Sequence, residues 1–184
     1  GMMGTTYMHN KEIRLRAPEP EDLELMYRIE NMPELWNISN TTVPYSRFLL
    51  KQYIETLCND VYVDKQLRLV IERREDNHPV GMIDLTDFNP LHNRAEVGII
   101  VEETFREQGI ARQALDLLIE YCFRYLHLHQ LYAYVACDNA ASRKLFAACG
   151  FIECGVLKHW LRREEEYQDA VLVQRLSSIN RKLL

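Results

Sequence analysis

Along the chain the spacing of apolar residues switches between two periods, and each switch marks a new element. In residues 66–72, QLRLVIE, the residues Leu67, Leu69 and Ile71 alternate with Arg68, Val70 and Glu72, which predicts a strand. In residues 95–101, Ala95, Val97, Ile99 and Val101 fall on one face, and Glu96, Gly98 and Ile100 on the other. A carboxylate and a glycine on one face of a central strand imply that something besides side chains packs there. Further strands are predicted at 12–17, 80–88, 130–137, 151–161 and 167–176. Helical spacing appears at 18–31, where Leu23, Met26, Tyr27 and Glu30 recur, and again at 46–59. It is strongest at 110–128, with Ile110, Ala114, Leu117, Leu118, Tyr121, Cys122 and Tyr125 as the stripe. Residues 138–150 form a short helix with Asp138 or Asn139 as cap and Gly150 as stop. Segment 31–46, with two prolines among Asn, Thr and Ser, reads mostly as loop. Turns are expected at 75–79, 89–93 and in the charged RREEE of 162–166. Strands and helices interleave, so the fold class is mixed α/β or α+β with a largely antiparallel sheet.

The 184 residues, 47% hydrophobic and 27% charged, suit one sizeable core, and residues 11–177 are expected to form a single domain. Gly1 ahead of Met2 reads as a tag remnant, and residues 1–10 are expected to be poorly ordered. A net charge of −5 gives no electrostatic footprint for nucleic acid. No apolar run is long enough to span a bilayer, and the first residues lack the apolar core of a signal peptide. Five cysteines without a CxxC pair point to a reduced, cytoplasmic compartment. His127 and His129 lie two apart, but there is no HExxH, so no metal site is expected.

The chemistry is concentrated in EETFREQGIARQAL, residues 102–115, where a charged loop runs through a glycine into a helix. The first turn of a helix has unpaired N–H groups and the positive end of the dipole. A glycine there lets a ligand approach the backbone, a general recipe for holding phosphate. The stretch is neither a Walker loop nor GxGxxG, and alone it is equally a plain helix start. One strand later comes NAASRKLFAACGF, residues 139–151. Together the two motifs resemble the acyl-CoA-binding signature of the GNAT superfamily of N-acetyltransferases. The resemblance extends from IRLRAPEPEDL to YQDAVLVQRL and is closest to the spermidine/diamine and ribosomal-protein branch.

The resemblance implies a mostly antiparallel sheet with one splayed parallel strand pair, and acetyl-CoA as co-substrate. The backbone amides of Gln108, Gly109, Ile110 and Ala111 would receive the pyrophosphate. Arg106 and Arg112 would either help neutralise phosphate or lie in solvent. The pantetheine arm would bond backbone around Ile99–Val101, and Asn139 would bond it through its amide or serve as helix cap. Glu96 is the expected base, acting through water, with a salt bridge to Arg94 as its alternative role. An N–H near Ile99 or Ile100 would meet the oxyanion. Where the spermidine branch carries a tyrosine beside the thioester sulfur, this chain has Phe146. Tyr132, Tyr134 or Tyr167 could replace that acid, with Tyr134 preferred; otherwise the thiolate leaves unassisted or through water, or the protein binds CoA with little turnover.

The acceptor is expected at the variable first half, where Glu30, Glu34 and Trp36 would hold an alkylammonium by charge and cation–π contact. The alternative is a solvated acidic helix face with Trp36 as a plug. The expected reaction is acetylation of a primary amine, most simply a polyamine or diamine such as spermidine. A protein N-terminus and a weakly catalytic CoA sensor are the alternatives. A nucleotide-binding loop is disfavoured by missing Lys and Asp partners. A homo-oligomer is left open.

Overall fold

In the computed structural model, which describes residues 7–32 and 46–178, seven strands form one sheet in the order β1-β2-β3-β4-β5-β7-β6. The strands are β1 (Ile13–Arg16), β2 (Leu67–Arg73), β3 (His78–Asn89), β4 (Arg94–Val101), β5 (Gln130–Ala136), β6 (Ile152–Arg163) and β7 (Glu166–Leu176). Every neighbouring pair is antiparallel except β4 and β5. A parallel pair needs a long crossover, and here it is α4 (Ile110–Glu120). Helix α5 (Ala140–Ala148) follows β5 in the same sense. The N-termini of α4 and α5 therefore both lie at the carboxyl ends of the parallel strands.

The alternating faces decide the packing. Ala95, Val97 and Val101 of β4 join Ile83, Leu85, Leu131, Ala133 and Val135 in the main core, beneath Ile110, Ala114, Leu115 and Leu118 of α4. The opposite face is covered at β2 and β3 by α1 (Leu23–Glu30) and α2 (Arg47–Thr56), where Leu25, Met26, Ile29, Leu50, Val70 and Met82 form a second core with Ile100 against it. Val70, which alternation placed on the polar face of β2, is fully buried because helices cover both sides.

Most predicted elements are present, with three differences. The helix expected over 18–31 begins as a 3-10 turn, Pro20–Asp22, before α1. A short helix not expected from the sequence, α3 (Val61–Asp64), is capped by Asp60, which accepts from the Tyr62 N–H. The helix expected over 110–128 is α-helical only to Glu120 and continues as a π turn, Tyr121–Tyr125. Leu115 and Ile119 of the α-helical part are buried beside the predicted stripe, and past Glu120 the widened ladder shifts the phase, leaving Tyr125 49% exposed. The three C-terminal-half strands and α5 lie within a few residues of their predicted ranges. No helix of the described residues is long and apolar enough to cross a membrane.

Candidate active site

The loop after β4 enters α4 through two residues of positive φ, Glu107 at 63° and Gly109 at 76°. Gly109 is the N-cap, and no side chain caps this helix. The contrast with other helices is direct. Ser46 accepts from the Leu49 N–H at the start of α2, and Asn139 accepts from the Ser142 N–H at the start of α5. In α4 the first amides, those of Ile110, Ala111 and Arg112, have no intrahelical acceptor. Exposed donors at the positive end of the dipole favour an anion. Gln108 is exposed beside them, and Ile110 anchors the turn in the main core.

The arginines divide. Arg106 Nε donates to the Val101 carbonyl at 2.8 Å, tying the loop to the end of β4. Arg112 is exposed on the first turn of α4. Asn139 is an N-cap through its side-chain oxygen, at 3.0 Å from the Ser142 nitrogen. Its amide NH2 is a separate donor group, so the cap does not exclude a ligand bond.

Below these helix ends the sheet opens. β4 and β5 pair only from Arg94–Gln130 to Glu96–Tyr132. Beyond that point β4 follows β3 to Val101, and β5 follows β7 to Ala136. On the side facing β5, the backbone from Val97 to Val101 has no ladder partner. An extended, amide-bearing arm can supply the missing bonds, as an added strand would. A Cβ built on Gly98 would meet nothing within 4 Å, so there is open space over the strand at the split. Ile99 is partly buried against the α4 side and Val101 is buried there. Ile99 and Val101, expected to border the pantetheine arm, thus lie along this opening.

On the face away from α4, the last paired residues are Glu96 and Tyr132, and Tyr134 is the next residue of β5 on that face. Burial, and then the charge of Asp87, push the Glu96 carboxyl above its ordinary range. The Tyr132 hydroxyl donates to Asp87 Oδ2 at 2.6 Å. Burial and that hydrogen bond hold the Tyr132 phenol well above its usual range, so it keeps its proton. Tyr134 is 37% exposed, and among the described residues its hydroxyl has no hydrogen-bond partner. Its ring lies 5.8 Å from Tyr132 and 5.4 Å from Trp160.

Phe146 is buried, edge-on to Phe151 at 4.9 Å, within the main core. Tyr167 is exposed and stacks on His159. Glu30 is buried and paired with Arg68, whose Nε lies 3.5 Å from Asp84 Oδ1. Burial raises the Asp84 carboxyl above its usual range. Glu34 and Trp36 lie outside the described residues. Two residues of this face escaped the sequence reading, Asp87 and Trp160. Each sits at a strand irregularity: Asp87 has φ 50°, and His159, beside Trp160, has φ 52°. The β3 register slips between Thr86 and Asn89, and that of β6 between Leu157 and Leu161. A slip redirects side chains without leaving a mark on hydrophobic alternation.

A split parallel pair beneath two helix N-termini, one of them uncapped, is the arrangement the two sequence motifs implied. A family model described as an acetyltransferase (GNAT) domain matches residues 12–152. The chain belongs to the GNAT acetyltransferase family. This GNAT protein is an N-acyltransferase by family. It is 30% identical to the spermidine N(1)-acetyltransferase of Vibrio cholerae serotype O1 over 161 residues, 87% of this chain and 90% of that one. It is 29% identical to the ribosomal-protein-serine acetyltransferase of Escherichia coli K12 over 102 residues, covering 55% of this chain and 57% of that one. Among solved structures, the Vibrio cholerae spermidine N-acetyltransferase in complex with CoA and spermine superposes with a TM-score of 0.79 at 28% identity. That match covers 92% of this GNAT chain and 98% of the other.

Proposed function

We propose that this GNAT acetyltransferase transfers the acetyl group of acetyl-CoA to a primary amine of a polyamine or diamine such as spermidine, in a reduced, cytoplasmic setting. The observation that carries the reading is the split at Glu96–Tyr132, which opens unpaired backbone on one side and a carboxylate on the other. The relatives named for spermidine acetylation, and the neighbour holding CoA and spermine, support the acceptor class.

In this reading the amides of Gln108, Gly109, Ile110 and Ala111 hold the pyrophosphate, with Arg112 beside them. Arg106 orders the loop through Val101 rather than meeting phosphate directly. The backbone of Ile99 and Val101 and the amide of Asn139 hold the pantetheine arm. Acetyl-CoA supplies an acyl group activated as a thioester. Glu96 removes a proton from the acceptor ammonium through water. The N–H bond breaks, a carboxyl O–H forms, and the nitrogen lone pair is freed to form the C–N bond. A raised carboxyl is better matched to this task than an ordinary one. A backbone N–H near Ile99 or Ile100 stabilises the oxyanion. As the C–S bond breaks, Tyr134 gives its proton to the sulfur, because the Tyr132 proton is engaged by Asp87. Glu30, Glu34 and Trp36 remain the proposed rim of the acceptor site, with Glu30 acting through its ion cluster with Arg68 and Asp84. Trp160 and Tyr134 add ring faces for an ammonium not undergoing reaction.

The test is thiol release from acetyl-CoA across spermidine, spermine, putrescine, aminoglycosides and N-terminal peptides, with CoA binding measured alongside. Turnover concentrated on the polyamines is the expected result. Turnover on the peptides alone would transfer the assignment to a protein N-terminal acetyltransferase. CoA binding without turnover on any amine would make this a CoA-binding module.

A further inference from the structure

The β3 bulge brings a second carboxylate to the base. Asp87 lies between Thr86, the register partner of Glu96, and Asn89, the partner of Arg94. The extra length of chain puts Asp87 into left-handed backbone at φ 50°, a conformation that aspartate tolerates better than most residues. From there its carboxylate accepts from the Tyr132 hydroxyl at 2.6 Å. Tyr132 is itself the β5 partner of Glu96 at the last pair before the strands diverge. Three side chains from three strands thus meet at the edge of the split, and the regular ladder would place only two of them there.

We propose that Asp87 is a positioning residue of the acetyl-transfer site, held by the bulge so that it anchors Tyr132 and sets a second negative charge against Glu96. The proposal rests on the reading of Glu96 as the base. Two consequences follow from the geometry. The Tyr132 hydroxyl is kept from the departing sulfur, which leaves Tyr134 as the phenol at the gap. The Asp87 charge opposes ionisation of Glu96 and makes it a stronger base when ionised, in the direction that burial also drives it. Among the described residues, the charged and titratable groups facing this point are few. Asp87 comes from β3, Tyr132 and Tyr134 from β5, and Arg94 shares the β4 face. Asp84 and Arg68 lie further along the face, tied to each other and to Glu30.

The experiment compares Asp87→Gly, Asp87→Asn and Glu96→Gln with the parent protein. Glycine relaxes the left-handed backbone, so Asp87→Gly retains the bulge while removing the carboxylate. Asparagine retains an acceptor for Tyr132 but removes the charge. The first readout needs no turnover: the carboxyl carbon of Glu96, labelled with 13C and assigned by its loss in Glu96→Gln, is titrated by NMR. The midpoint is expected to move to lower pH in both Asp87 variants. The second is the pH profile of kcat/KM with spermidine, whose acid limb is expected to move the same way in both. Tyr132 anchoring is read from kcat, which is expected to fall more in Asp87→Gly than in Asp87→Asn. A Glu96 midpoint unchanged in both variants, with their far-ultraviolet circular dichroism unchanged, would overturn the proposal. An acid limb that persists in Glu96→Gln would instead overturn the reading of Glu96 as base, whatever the Asp87 variants show in the titration.

Discussion

At the scale of single residues, the site depends on groups whose surroundings define their roles. Gly109 holds φ at 76°, and a Cβ added there would approach only the Gln113 side chain, at 3.9 Å. Space is therefore available, and the cost of Gly109→Asp comes from the left-handed backbone and from a negative charge at an anion site. Its CoA dissociation constant is expected to rise by about tenfold or more, measured by calorimetry. An unchanged constant would remove this helix end from the CoA site. Tyr134→Phe retains the ring that meets Trp160 and removes only the hydroxyl. If Tyr134 protonates the sulfur, kcat should fall by roughly a hundredfold while the acceptor KM changes little. A KM effect alone would make Tyr134 a binding wall and leave the thiolate to depart unassisted. Phe146, at the position where the resemblance leads one to expect a tyrosine, is visible in the motif. The sequence did not reveal that Tyr132 would be bound by Asp87, because that contact crosses 45 positions of sequence.

At the scale of elements, α1 is docked over the sheet by apolar packing, by an ion pair of Arg28 with Glu102 beyond the end of β4, and by a buried ion cluster. Leu25, Met26 and Ile29 meet Val70 and Met82. Beside them Arg68 of β2 stands between Glu30 of α1 and Asp84 of β3. Both partners of the Arg68–Glu30 pair are largely buried, at 15% and 8% side-chain exposure. Arg68→Met would leave two carboxylates without their cation and is expected to destabilise the fold by about 3 kcal/mol, read by urea denaturation. A loss well below 1 kcal/mol would mean the cluster is hydrated. β3 and β4 approach so closely that a Cβ on Gly81 would collide with the Ile100 carbonyl oxygen. The two faces of β4 were readable from its alternation, since period two is imposed by the pleat itself. The π turn at Tyr121–Tyr125 was not, because one inserted residue in a helical ladder changes the phase without changing the composition.

At the scale of the whole molecule, the split joins two halves of the sheet that are otherwise held together by three residue pairs of β4 and β5 and by the helices above them. A ligand that fills the split contacts both halves and should stabilise the folded chain by binding it alone. At a CoA concentration a hundredfold above its dissociation constant, the gain is about 2.7 kcal/mol. For a domain of this size that corresponds to a rise in Tm of roughly 5–10 °C. ATP should give a smaller rise, because it lacks the pantetheine arm that the unpaired backbone would bond. Stabilisation by ATP without CoA would overturn the acetyltransferase reading of the split.

The chain by itself determined the order of its seven strands and four longer helices, the faces of β4, the glycine at the start of α4 and the pairing of two motifs one strand apart. All of these are local: they follow from side-chain period, from the φ that glycine permits, and from the unpaired amides of any helix start. Tertiary structure alone decided where β4 leaves β5, that Glu30 is joined to Arg68, and that bulges bring Asp87 to Tyr132 and Trp160 to Tyr134. These depend on register between strands distant in sequence. Register is settled by the burial of entire faces at once, which no single stretch of sequence contains.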